Sequence, residues 1–123
     1  MKAVSTEKAP AAIGPYSQAQ IAGGFVFASG QIPIIPETGV LAEGLEAQAH
    51  QVFKNIRALL AAAGSDISRA VKTTVFIRNM GDFGKVNEIY AAFFGDHKPA
   101  RSCVEVSALP KNGLVEIEVI ASK

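Results

Sequence analysis

Arg101-Ser102-Cys103-Val104-Glu105-Val106, followed by a Leu-Pro turn and Leu114-Val115-Glu116-Ile117-Glu118-Val119, decides the reading of this chain. Both runs alternate, with Arg101, Cys103, Glu105, Glu116 and Glu118 on the polar parity. Successive strand side chains point to opposite faces, so Val104 and Val106 are expected to meet Val115, Ile117 and Val119 in a core while the ionisable set faces elsewhere. Such alternation is also what a half-solvated antiparallel sheet displays. Leu114 and Ile120 share the parity of Glu116 and Glu118, which makes that face too apolar at its ends for plain solvent surface. A second subunit is expected to cover it.

Working outward, Ala70 to Arg78 is dense in β-branched residues and reads as a central strand. Asp82 is placed to cap a helix whose stripe is Phe83, Val86, Tyr90, Phe93 and Phe94, with Gly84 costing about 1 kcal/mol inside it and Gly95 ending it. A longer helix starts at Leu45, where Ala49, Val52, Phe53, Ile56, Leu59, Leu60 and Ala63 follow helical spacing up to a stop at Gly64. Gly23-Gly24 joins two strand-length runs, Ala19 to Ala22 and Phe25 to Ser29, in a hairpin, and Gly30 closes the second. Residues 6 to 18, with Pro10 and Gly14-Pro15, read as an ordered loop. Ile32 to Gly44 carries Pro33, Pro36, Gly39 and Gly44, too many breakers for regular structure.

The order strand, strand, helix, strand, helix, strand, strand predicts an α+β fold with two helices on one face of a mainly antiparallel sheet. The other face is left bare, and a symmetric oligomer is the economical way to bury it. The 123 residues suit a single domain spanning residues 1–123, without repeats or linkers.

Twelve Lys and Arg against eleven Asp and Glu leave a net charge of +1, which provides no broad attraction for nucleic acid or anionic lipid. A single cysteine excludes an internal disulfide, and Cys103, His50 and His97 lack the spacing of a zinc site. No signal-peptide pattern or membrane-length apolar run is present, so a cytoplasmic protein is expected.

Gly14-Pro15-Tyr16-Ser17-Gln18, Ser29-Gly30-Gln31-Ile32-Pro33, Val86-Asn87-Glu88-Ile89-Tyr90, Pro99 to Val106 and Leu114 to Glu118, read in order, resemble the YjgF/Rid family, and its RidA branch most closely. The resemblance runs from the first strand to the last residues without a long insertion. It implies a chorismate-mutase-like α+β fold, a homotrimer with ligand sites between adjacent subunits, and no metal or organic cofactor. It further implies hydrolysis of reactive 2-imino acids, such as 2-iminobutanoate and 2-iminopropanoate, or their enamine tautomers, to 2-oxo acids and ammonia.

By the same resemblance Arg101 grips the substrate carboxylate, for which a planar guanidinium is suited because it can form two parallel charge-assisted bonds. Without the family, it would read as a solvated strand-edge charge. Glu116 takes the position of the glutamate that orients the attacking water. Glu118 has the same parity, and the residues alone do not separate the two; the family position favours Glu116 and leaves Glu118 structural or pore-lining. Tyr16 lines the pocket, or else pins the loop of residues 6 to 18. Ser29 and Gly30 lie at a strand end, where absence of a Cβ allows close backbone approach to a ligand, although Gly30 could equally be a turn. Asn87 supplies an amide either to a neighbouring subunit's site or to a loop.

Cys103 borders the ligand, chiefly through its backbone; an imine accepts water directly, so no thiol nucleophile is required. His50 and His97 have no partner at triad or ligand spacing and read as surface or helix histidines. Two other functions use the same features. One is a small-carboxylate (2-oxo acid) binding protein that employs Arg101 without turnover. The other is a ribonuclease or translation inhibitor, for which the chain offers no arginine-rich tract and no His pair suited to RNA cleavage.

Overall fold

A computed structural model describes all residues from Met1 to Lys123. Eight strands and two helices follow one another as β1 (Lys2–Val4), β2 (Ala19–Ala22), β3 (Phe25–Ala28), β4 (Ile34–Ile35), β5 (Val40–Leu41), α1 (Leu45–Ala62), β6 (Ala70–Ile77), α2 (Phe83–Phe94), β7 (Ala100–Glu105) and β8 (Val115–Ser122). Six strands form one sheet in the order β1-β2-β3-β8-β6-β7. Every pairing in it is antiparallel except β6 with β7, which α2 connects as a parallel crossover.

Both helices lie on one sheet face, as expected. Val52, Ile56, Leu59 and Leu60 of α1 and Val86, Tyr90 and Phe94 of α2 share a core with Val75, Ile77, Val115, Ile117 and Val119. Gly64, at φ +80°, terminates α1: its N–H donates to Ala61 O and that of Ser65 to Leu60 O, the paired bonds of a left-handed helix stop. Asp82 does not cap α2. It ends a 3₁₀ turn, Met80–Asp82, and its side chain accepts no capping bond, because the chain enters α2 already helical.

The expected meeting of Val104 and Val106 with the valines of β8 does not occur. β6 lies between β7 and β8 and sets the parity of both. Thr73, Val75 and Ile77 are buried beneath the helices, and their partners are Arg101, Cys103 and Glu105 on β7 and Val119, Ile117 and Val115 on β8. Cross-strand partners share a face. Arg101, Cys103 and Glu105 therefore stand on the helix side, whereas Glu116 and Glu118, opposite Phe76 and Thr74, stand on the open side. Val104 joins the open side and is 42% exposed. The five ionisable positions are split between two faces, because an edge strand reached by a parallel crossover takes its register from β6 alone.

The open face carries half-exposed Phe25 and Phe27 on β3 beside Ile120. This is the apolar surface that the parity of Leu114 and Ile120 pointed to. A bulge at Val71, between Ala70 and Lys72, shifts the β6 register so that Ala70 and Thr73 both point into the core.

Two further elements differ from expectation. β1 is an edge strand of three residues, too short to leave a periodic signal. The segment of residues 32–44 contains the small β4–β5 hairpin, since Pro33 and Pro36 flank β4 instead of interrupting it. Asn55 fastens this segment to α1. It is completely buried, and its Nδ2 donates to the carbonyls of Ile32 and Ile34, both at 3.0 Å. Replacing Asn55 by Leu leaves two carbonyls without that donor, so a loss of about 2–4 kcal/mol is expected in denaturant unfolding. An unchanged unfolding midpoint would show that the loop is held by other means.

Candidate active site

The residues singled out from the sequence occupy two separate places in one chain. The first is a cleft of about 530 Å³ at the end of the sheet, lined by Tyr16, Ser29, Gly30, Gln31, Ile32, Lys111 and Glu116 among others. Its wall is built by side-chain bonds of the loop before β2. The Nε2 of Gln18 donates to the carbonyls of Thr6 (3.0 Å) and Pro10 (2.7 Å), while its Oε1 accepts the Thr6 N–H at 2.7 Å. Gln18, not Tyr16, thus pins this loop, and Tyr16 is left half-exposed on the cleft wall. Ser29 Oγ donates to the Ser17 carbonyl at 2.7 Å, spending its hydroxyl on joining the loop to the strand end.

Glu116 occupies the space that a side chain at position 30 would take, so any other residue there would displace its carboxylate. A Cβ at position 30 would overlap the Glu116 carboxylate, with Cδ only 2.9 Å away. The carboxyl fills this space beside Gly30 and is partly withdrawn from water. Burial first, and the negative charge of Glu118 second, push its pKa above the ordinary carboxylate range. Glu118 shows that the two acidic residues of β8 differ: they are neighbours on one face, and Glu116 is the one held in the cleft. Gln31 was not anticipated. Its backbone bonds to Ile117 in both directions, its Nε2 donates to the Ser29 carbonyl, and its buried Oε1 has no partner within the chain.

The second place is on the helix side, beside α2. Arg101 Nη1 donates to Asn87 Oδ1 at 2.7 Å, and the guanidinium carbon stands 4.7 Å from the centre of the Tyr90 ring and 5.4 Å from that of Phe83. Asn87 therefore serves Arg101 of its own chain. A pocket of about 380 Å³ adjoins them, bordered also by Phe94, His97 and Lys98. Cys103 is half-buried and packs against the core; burial raises its thiol pKa, against a smaller opposite effect of Arg101, so the thiolate is disfavoured. His97 is tied to the sheet, its Nε2 standing 2.6 Å from the Ala70 carbonyl, and His50 is exposed on α1. No three His, Cys, Asp or Glu side chains converge anywhere.

An α+β domain of this topology, with a glycine-backed carboxyl in one cleft and a braced arginine on the other face, has clear relatives. The family model described as Endoribonuclease L-PSP matches residues 6–123. The 2-iminobutanoate/2-iminopropanoate deaminase of Salmonella typhimurium is 52% identical over 98% of this chain and 96% of its own. Among solved structures, RidA from the Antarctic bacterium Psychrobacter superposes with a TM-score of 0.97 at 46% identity, all of both chains being covered. TdcF of Escherichia coli with bound serine gives 0.96 at 44% identity, covering 100% of this chain and 99% of that one. The chain belongs to the YjgF/Rid family. No helix is long and apolar enough to cross a membrane.

The raised Glu116 pKa has a consequence for stability. The folded chain holds this proton more tightly than the unfolded chain, so stability is greatest below the ordinary carboxylate range and declines as pH rises through the elevated folded value. Glu116→Gln removes that decline. Melting curves of the variant and the wild type are expected to coincide at acid pH and to separate at neutral pH, the variant melting higher by about a degree or more. A variant that melts lower at neutral pH would contradict the assignment.

Proposed function

We propose that the protein is an enamine/imine deaminase that hydrolyses small 2-imino acids, 2-iminobutanoate and 2-iminopropanoate among them, to 2-oxo acids and ammonia. The observation that carries this reading is the Glu116 carboxyl, set against Gly30 in a cleft and held above its ordinary pKa, in a chain 52% identical to a deaminase of that specificity. A carboxyl poised nearer neutrality is suited both to take a proton and to return it.

In the proposed reaction Glu116 accepts a proton from water as the oxygen attacks C2 of the imine, and passes it to nitrogen to give a carbinolamine. Glu116 then takes the carbinolamine hydroxyl proton and gives it to nitrogen as the C–N bond breaks, so ammonia leaves and the carbonyl of the 2-oxo acid forms. One water is consumed for each ammonia released, and Glu116 ends as it began. Arg101 neutralises the substrate carboxylate; the serine bound to the E. coli relative carries the same group. Tyr16 and Ile32 bound the side-chain end of the cleft, and Ser29, Gly30 and the Cys103 backbone lie against the ligand. Cys103 is not a nucleophile in this scheme.

Arg101 and Glu116 stand on opposite faces of one sheet, which favours a site completed between copies of the chain. A homotrimer, with the open face and its half-exposed phenylalanines turned inward, is the proposed assembly, and each site takes Arg101 from one subunit and Glu116 from the next. A second reading, a 2-oxo acid binding protein without turnover, uses the same Arg101 and Asn87 pair. The endoribonuclease name of the family model is a reason to assay RNA cleavage as well.

The decisive assay generates 2-iminobutanoate in situ from threonine with a dehydratase and follows 2-oxobutanoate release. Wild type is expected to accelerate it, and Arg101→Ala to lose about a hundredfold in kcat/KM. Binding of 2-oxobutanoate without acceleration would support the second reading. Co-refolding Arg101→Ala with Glu116→Gln chains should restore about a quarter of wild-type activity, since one in four randomly formed interfaces then joins two intact residues. No recovery would place both groups in one chain's site.

A further inference from the structure

Arg101 lies on an exposed edge strand, where a long side chain would ordinarily sample many rotamers and lose that freedom on binding. Here it does not hang free. Asn87 holds one nitrogen of the guanidinium, and the guanidinium carbon stands over the Tyr90 ring, 4.7 Å from the ring centre. The support is itself fixed: Tyr90 is 8% exposed, its ring is packed against Phe53 and Phe94, and its hydroxyl shares a 2.8 Å hydrogen bond with Thr73 Oγ1. Thr73 is fully buried and is the cross-strand partner of Arg101 in the β6–β7 register.

A valine and a phenylalanine would fill this space as well as Thr73 and Tyr90 do, as Val75 and Phe94 do close by. The polar pair adds orientation. It sets the height and tilt of the aromatic ring directly beneath the guanidinium, whose attraction to the ring face depends on both. With one nitrogen directed to Asn87 and the Tyr90 ring beneath the guanidinium carbon, the remaining N–H groups are what a ligand meets.

We propose that Tyr90, anchored through Thr73, is a positioning residue for carboxylate recognition: its ring holds Arg101 in the orientation that binds the substrate carboxylate before substrate arrives. The proposal rests on Arg101 being the carboxylate ligand. It assigns to the aromatic stripe of α2 a role in binding as well as in the core, and it limits that role to affinity. Tyr90 touches neither the imine carbon nor the attacking water in this scheme, so changes to it should move KM and leave kcat nearly unaltered.

The test replaces Tyr90 by phenylalanine and by mono-, di- and trifluorophenylalanine in the full chain, and titrates each with 2-oxobutanoate calorimetrically. Fluorine withdraws electron density from the ring face with little change of size, so a purely structural ring should not respond in steps. The dissociation constant is expected to rise about threefold for Tyr90→Phe, which loses the bond to Thr73, and to rise further, stepwise, with fluorination of that ring to about tenfold, with kcat constant within about twofold; a Tyr90→Phe constant equal to wild type would remove Thr73 from the proposal. Tyr90→Leu should match the trifluorinated variant in affinity, and comparison of melting temperatures separates loss of folding from loss of binding. A flat fluorination series would reduce Tyr90 to a core residue. If Arg101→Ala binds 2-oxobutanoate as tightly as wild type, it is the reading of Arg101 that fails.

Discussion

The burial of Thr73, Val75 and Ile77 beneath α1 and α2 is the constraint on which the rest of the structure depends. β6 has neighbours on both sides, so its parity is copied outward. It places the valines and isoleucine of β8 in the core and Glu116 on the open face, and it places Arg101 on the helix side of β7. β8 has no freedom to do otherwise, because a shift by one residue would expose its hydrophobic row and bury its charged one, whereas β7, exposed along most of its length, follows the register of β6. The separation of the arginine from the glutamate is therefore a property of sheet register and not of any loop.

The two groups are prepared in opposite ways. Glu116 is made uncomfortable as an anion: it fills the space beside Gly30, partly out of water, with a second carboxylate nearby. Arg101 is made comfortable as a cation, with an amide oxygen at its edge and aromatic faces below it. A group that must exchange protons and a group that must keep its charge need these contrasting surroundings.

Where packing periodicity governed, the sequence was legible. The stripes of α1 and α2, the glycine hairpin before Phe25 and the β-branched run of β6 all carry signals within a single segment, and each element stands within a residue or two of its expected bounds. The order of the strands was not legible, because alternation tells which residues share a face and is silent on which neighbour they face. That is why Val104 was expected inside and stands outside. The bonds of Gln18 and Asn55 escaped notice for a related reason: glutamine and asparagine look like surface residues until a fold wraps unpaired carbonyls around them. Among the site residues, Gly30 gave the least local sign, since the group that occupies the space beside it is Glu116, 86 positions later in the sequence.

The place of β8 has a consequence for how the chain is made. This strand is the last of the eight, and it lies between β3 and β6, bonded to both. Until residue 115 and those after it leave the ribosome, β1 to β3 form an isolated meander, and β6 and β7 lack the neighbour that aligns them with it. The halves of the sheet wait for their keystone. Synthesis from the N-terminus delivers it after every other strand, so the two parts of the sheet join only once β8 has been made, and the nascent chain meanwhile shows the unpaired edges of β3 and β6 to its surroundings.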